Sequence, residues 1–557
     1  MTTTEPGTRG EAQLTIPQPG SGEPGAAGPG SGIEGRGTGR SGPGEQGWLT
    51  RHQASVLALF GCLVVVGAAT AWNLQGYPGR VNDDEGTYVA RAWAMIYQHH
   101  LANYTYFWDH PFLGWATIAG WALLTDGFHR DVRAVMVGRE LMWITTVISC
   151  ALIYGLSRRL SMNRFFASVA GLVFGLSPVA IFYHRMVSLD NLATMWALAA
   201  FLLATSRRRS LTAAVASGAC FALATWSKET IALLLPALLW ALGQQLGRQL
   251  AGGRPARQIR RKYIRAFLVV YGGIVALYPL LAAVKGELIP GRGHVSLLGE
   301  IGYQLIGRQS TGSLLDIHSG TFYQARQWVT LDPWLTLGGL AVLAGGLALQ
   351  RLRPAALALG IQVLYMIKGG YVPYAFVTAM LPFAAILIAG LLDWCWAQGA
   401  RPPRRAWARL PVLAVGVGCA AVVAPAWGQS LVAQSKANGF AAEDTAVAWI
   451  TRNVPRGDVV VCDDYLWPDV MMHARATPVY LWTVDYDPAV MREFLPDGYR
   501  DISYLVLDPS SSQTRTALPG RPTLEAALRH AVLIEKFGGI DVYKVSGTPH
   551  PGGAPTR

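Results

Sequence analysis

The chain has 557 residues, of which 51% are hydrophobic and only 15% charged, with a formal net charge of +13. So apolar a composition excludes an ordinary soluble enzyme and points to a membrane protein with several spans. Nor does the charge indicate a nucleic-acid partner. It lies in short clusters between apolar runs, at Arg158, Arg159 and Arg164, Arg207 to Arg209, Arg248 through Arg265, Arg351 and Arg353, and Arg401 to Arg409. Cytoplasmic loops of membrane proteins carry this pattern, and anionic lipid is a sufficient partner for it.

In chain order, residues 1–47 are rich in Gly and Pro, nearly devoid of large apolar side chains, and expected to form a disordered cytoplasmic tail. The first apolar run, Ala54 to Trp72, can cross a bilayer core of about 30 Å and begins too far from Met1 to be a cleaved signal. With every basic cluster placed in the cytoplasm, spans are expected near 53–73, 134–157, 165–181, 187–205, 211–226, 229–247, 264–284, 333–350, 354–368, 374–396 and 409–428. The fold class is thus an α-helical polytopic bundle of about eleven transmembrane helices over 48–432, with the N-terminus inside.

Its first external loop, 74–133, is expected to hold two interfacial helices. One places Val89, Ala92, Trp93, Ile96 and Tyr97 on one face. The other, Pro111 to Leu124, is too short to span. A long external loop covers 285–332. From 438 to 546 helix-like and strand-like stretches alternate, which predicts an extracytoplasmic α/β domain, and 547–557 form a second disordered tail. The six cysteines, Cys62, Cys150, Cys220, Cys395, Cys419 and Cys462, show neither zinc nor disulfide spacing.

This topology brings Asp83-Asp84-Glu85, Asp109-His110, His184-Arg185, Asp190 and Lys228-Glu229 to the outer membrane ends, as the lining of one cavity. Taken singly, each has a plainer reading. The acidic triplet can cap a helix or face water, Arg185 can snorkel, Lys228 and Glu229 can pair, and Arg308, Arg326, His294 and His318 are ordinary loop residues. Asp463-Asp464 is read as capping or solvating a turn. Together, carboxylates beside basic groups at a lipid–water boundary suit attack on a lipid-linked phosphosugar. Cations hold the charge that develops on the departing phosphate, and a positioned Asp activates the acceptor hydroxyl.

Four segments resemble the polyprenyl-phosphate-sugar-dependent glycosyltransferases of the GT-C fold, the group of the protein O-mannosyltransferases and the lipid A aminoarabinose transferase. They are Asn82-Asp83-Asp84-Glu85-Gly86-Thr87-Tyr88, Asp109-His110-Pro111-Phe112-Leu113-Gly114-Trp115, His184-Arg185-Met186-Val187-Ser188-Leu189-Asp190-Asn191 and Trp226-Ser227-Lys228-Glu229. Phe112 replaces a Pro of the family pattern, and the Arg that the aminoarabinose enzymes carry near Thr87 is absent.

The resemblance implies a single inverting displacement that moves a sugar from a polyprenyl phosphate to an acceptor hydroxyl or amine on an envelope glycan, lipid or protein. Asp84 is the implied base, with Asp83 and Glu85 beside it. Arg185, Lys228, His110, Arg308 and Arg326 are the candidates for the donor phosphate, with Asp109, His184, Asp190 and Glu229 in support. Some relatives hold a divalent metal, and Asp84, Glu85 and Asp109 are the side chains offered here for Mg, Mn or Zn. The low charge fraction of the bundle and the Gly/Pro-rich, Arg-bearing tail suggest a bacterial plasma membrane. The rival reading is a transporter or flippase for a lipid-linked or polar precursor, since intramembrane charges also mark solute paths. It predicts inverted repeats and broken helices. A non-catalytic assembly subunit would have lost the acids, which are present.

Overall fold

The computed structural model describes residues 48–81, 83–250, 254–399 and 409–546. Both expected disordered tails, Asn82 and most of the Arg401–Arg409 cluster lie outside them. The chain divides into two compact units at His52 and Gln53, and the second contains the elements that matter here.

The opening helices are α1 (Trp48–Ala71), α2 (Asp84–Tyr97), α3 (Leu113–Thr125), α4 (Gly127–Arg130), α5 (Ala134–Arg159), α6 (Arg164–Leu176), α7 (Pro178–Arg185), α8 (Leu189–Ala204) and α9 (Leu211–Ser227). Their ends follow local chemistry. Asn163 accepts from the Phe166 amide to start α6, Ser188 from Asp190 to start α8 and Ser210 from Ala213 to start α9. Pro178 forces the preceding Ser177 into an extended conformation, so α6 and α7 meet at a 63° bend where a continuous span over 165–181 was expected.

All eleven expected spans fall on helical segments. Among the described residues, however, six helices are long and apolar enough to cross a membrane, or seven if the bent α6–α7 pair counts as one. The difference is length. The 16 residues of α8 rise roughly 24 Å, less than a bilayer core, and the 333–350 stretch breaks into Pro333–Ala341 and Leu343–Ala348. The two predicted interfacial helices are α2 and α3, with Val89 and Ala92 buried.

Past the long helix Leu410–Lys436, the chain forms a five-stranded mixed sheet of β1 (Val459–Cys462), β2 (Thr477–Tyr480), β3 (Ile502–Leu507), β4 (Ala531–Phe537) and β5 (Ile540–Val545), in the order β2-β1-β3-β5-β4. β1 is parallel to β2 and β3, while β5 runs antiparallel to β3 and β4. The central strands read as nearly unbroken apolar runs because both their faces are covered. The sheet segment lies in the same compact unit as the helices. Arg80 stacks on the Tyr465 ring and pairs with Asp508, Arg133 pairs with Asp444, and Asp487 accepts from Thr105.

Candidate active site

The acidic triplet sits at the start of α2, whose positive end favours carboxylates, yet its three side chains have different surroundings. Asp83 is the N-cap residue, buried and without a side-chain capping bond. Burial, with Asp464 and Asp463 close by and only Arg80 opposing them, pushes its carboxyl up to about 8. Asp84, the first helical residue, is exposed. Glu85 turns inward. Its carboxylate accepts from Arg139 Nε and Nη2 at 3.1 and 2.8 Å and from the Val187 amide at 2.8 Å. Arg139 is fully buried and also donates to the Pro78 carbonyl at 2.7 Å. This pair ties α2 to α5, to the turn before α8 and to the loop after α1.

Arg185, expected on the phosphate, is also buried, and it donates to the carbonyls of Ala69, Trp72 and Tyr77 at 2.8, 2.7 and 3.3 Å. It neutralises the negative C-terminal end of α1. His184 is buried with its ring 4.8 Å from that of Phe174, away from solvent. Arg326 is exposed on the helix Gly320–Leu331 and joins no ion pair among the described residues. These three are not brought to the other site residues.

The remaining candidates do meet. His110 Nδ1 lies 3.0 Å from Glu229 Oε2 and its Nε2 lies 2.7 Å from Lys228 Nζ. Because an ammonium only donates, this geometry requires a neutral imidazole that accepts at Nε2 and donates from Nδ1 to Glu229. Lys228 is 5% exposed. Its ammonium lies in the field of Glu229, Asp190 and Asp84. Asp190, in the first turn of α8, accepts from Ser188 Oγ at 3.1 Å. Arg308 stacks 3.5 Å from the Tyr371 ring centroid, and Tyr371 in turn feels Arg308, Asp84, Lys228 and Asp190. Asp84, Asp190, Lys228 and Arg308, from α2, α8, the end of α9 and the long loop, thus all lie within electrostatic reach of Tyr371.

Asp109 stands beside this group but is held bidentately by Arg91 at 2.9 and 3.0 Å. Burial opposes its charge, yet Arg91, aided by the His110 backbone N–H, outweighs that and holds the carboxyl at about 2. With Glu85 bound to Arg139 and Asp109 to Arg91, the structure does not gather Asp84, Glu85 and Asp109 into a metal ligand set. Among the described residues no group of three or more His, Cys, Asp or Glu is arranged to hold an ion.

Sequence reasoning missed five positions. Arg139, beside Glu140 inside an apolar run, was a legible sign of a buried partner. Arg91 lies seven residues after Asp84, two turns along the same helix. Arg80 gave no local signal. Asp463 and Asp464, read as solvated, are buried at 0 and 1% exposure. Asp463 accepts from the Asp508 amide, Ser511 and Thr514, and Asp464 accepts from Thr87 and Trp482. They are buried because the sheet packs onto α2, which no local pattern records.

A family model of dolichyl-phosphate-mannose-protein mannosyltransferases matches residues 109–255, a segment that includes Asp109, His110, Arg185, Asp190, Lys228 and Glu229. A comparison with curated protein sequences finds no match. Among solved structures, ArnT from Cupriavidus metallidurans bound to undecaprenyl phosphate superposes with a TM-score of 0.57 at 14% identity, covering 90% of this chain and 99% of that one. The oligosaccharyltransferase AglB from Archaeoglobus fulgidus, in complex with an inhibitory peptide and a dolichol-phosphate, gives a TM-score of 0.53 at 12% identity, with coverages of 90% and 75%. The chain has the GT-C fold. The fold sets the bundle and the helices α2 and α3. The chemistry of the site has to be argued from Asp84 and its companions.

Proposed function

We propose that the chain is an integral membrane glycosyltransferase that moves a sugar from a polyprenyl-phosphate donor to a hydroxyl or amine of an envelope acceptor. It would act on the outer face of a bacterial plasma membrane, with the N-terminus inside and the sheet segment outside. The observation that supports this reading is that an exposed carboxylate, Asp84, the buried Lys228 ammonium and the Arg308 guanidinium all lie within electrostatic reach of Tyr371. In the reaction the acceptor oxygen or nitrogen attacks the anomeric carbon. The bond from that carbon to the phosphate oxygen breaks with its electron pair on the phosphate, and the acceptor proton passes to Asp84. Lys228, oriented by His110 and Glu229, and Arg308 hold the charge on the departing polyprenyl phosphate. One displacement inverts the anomeric centre. Glu85 and Arg185 serve this scheme by holding α2 and the end of α1, without touching substrate.

The bend between α6 and α7 is the one feature that favours the transporter reading, because broken helices line solute paths. Here the nearby charges are held: Arg185, at the far end of α7, donates to backbone carbonyls, and Asp332, at the break itself, accepts from Ser177 and from the amides of Trp334 and Leu335.

The test is release of polyprenyl phosphate from radiolabelled undecaprenyl-phosphate hexoses and pentoses, by purified wild type and Asp84→Asn in lipid with envelope extract as acceptor. Transfer by the wild type and its loss in folded Asp84→Asn supports the reading. Equal transfer by both removes Asp84 as the base.

A further inference from the structure

The sheet segment reaches the first turn of α2 at Asp464. Asp464 follows β1 and is 1% exposed, and one oxygen of its carboxylate accepts both from Thr87 Oγ1 and, at 2.9 Å, from Trp482 Nε1. Thr87 is in the first turn of α2, three residues after Asp84. Between them, Gly86 lies so close to the Asp464–Tyr465 backbone that an added Cβ would overlap the Asp464 carbonyl oxygen and the Tyr465 Cα. The first turn of α2 is therefore gripped from two sides. Arg139 holds Glu85 from the bundle, and Asp464 holds Thr87 from the sheet. The exposed Asp84 is carried between the two grips.

We propose that Asp464 is a positioning residue for the base: by holding Thr87 and seating Gly86, the C-terminal sheet sets where the Asp84 carboxylate points. This rests on the reading of Asp84 as the base. Asp464 touches neither donor nor acceptor in this scheme and acts only through α2. The sheet segment is accordingly part of the catalytic apparatus, and acceptor binding is not needed to explain why it is joined to the bundle. Trp482 braces Asp464 from behind, its ring stacked on Tyr480 at 6.2 Å and tilted against Phe107 at 5.5 Å. Phe107 is two residues before Asp109, so the brace spans from the sheet to the other acidic segment of the site.

The experiment uses full-length protein in lipid and two readouts. The first is steady-state transfer from the undecaprenyl-phosphate sugar that wild type accepts. Displacing a reacting group by about 1 Å costs on the order of 100-fold, so Asp464→Ala should lower kcat by about 100-fold with the donor KM nearly unchanged. Thr87→Val should do the same, Thr87→Ser should retain activity, and the double variant should be no worse than either single one, because both remove one bond. The second readout is hydrogen exchange, which needs no substrate: amides of the first α2 turn should exchange about tenfold faster in Asp464→Ala, while those of α5 stay protected.

A folded Asp464→Ala with wild-type exchange in α2, or with a loosened turn but an unchanged kcat, overturns the proposal. A loosened turn with equal transfer by wild type and Asp84→Asn also overturns it as a statement about catalysis. That outcome traces the failure to the base assignment, because the grip itself is then present.

Discussion

Glu85→Gln separates two roles for the third acid of the triplet. The substitution keeps the shape of the side chain and removes its charge. Arg139, fully buried and bound to Glu85 through two contacts at 2.8 and 3.1 Å, then keeps its charge without a counter-ion. Removing one partner of such a buried pair costs about 3–5 kcal/mol. The Val187 amide at 2.8 Å can still find the Gln carbonyl oxygen, so the loss is chiefly that of the stranded charge. The expected result is a fall in unfolding free energy of that size, read by denaturant titration in mixed micelles, with substantial transfer activity in the molecules that remain folded. Arg139→Met alone should be similarly damaging, since it strands the carboxylate. The Glu85→Gln/Arg139→Met double variant should recover part of the loss, because no charge is then left unpaired. A Glu85→Gln protein within about 1 kcal/mol of wild type but as inactive as Asp84→Asn would refute the reasoning and make Glu85 a reacting carboxylate.

Lys228→Met, which keeps the length of the chain but no charge, is expected to lower kcat by about 100- to 1000-fold, measured as polyprenyl phosphate release. Arg326→Ala should change transfer less than twofold, since Arg326 is exposed; the same assay reads it. Asp83→Asn should flatten the dependence of stability on pH. Because the folded-state value of Asp83 is raised to about 8 from the ordinary carboxylate range, its stabilising contribution is whole below about pH 4 and is lost as the pH climbs toward 8. Wild type should therefore lose up to about 1.4 kcal/mol per pH unit relative to Asp83→Asn across that window, measured by thermal unfolding in detergent at a series of pH values. Equal pH profiles for the two proteins would remove the buried, neutral Asp83.

The bundle and its punctuation were determined by the sequence alone. Apolar run lengths, the basic clusters and the capping residues Asn163, Ser188 and Ser210 are local signals, and local physics acts on them directly. The amphipathic stretch carrying Val89 and Ala92 gave α2, and the order of the acidic, His-Pro, Arg-Asp and Lys-Glu segments indicated which residues to compare. Span lengths were less legible: the bend at Pro178 and the short α8 set fewer long spans than the run count implied.

Which acid faces solvent and which faces a guanidinium was decided only by the tertiary structure. Asp83, Asp84 and Glu85 are consecutive and chemically alike. On a helix, though, each step turns the side chain by about 100°, so three neighbours point to three environments. Asp83 meets the sheet segment, Glu85 meets Arg139, and Asp84 is exposed. Arg185 and Lys228 looked equivalent as cations near a span end, but the end of α1 consumes one and His110 and Glu229 present the other. A charge's identity is written in the chain, while its availability depends on what long-range packing sets against it.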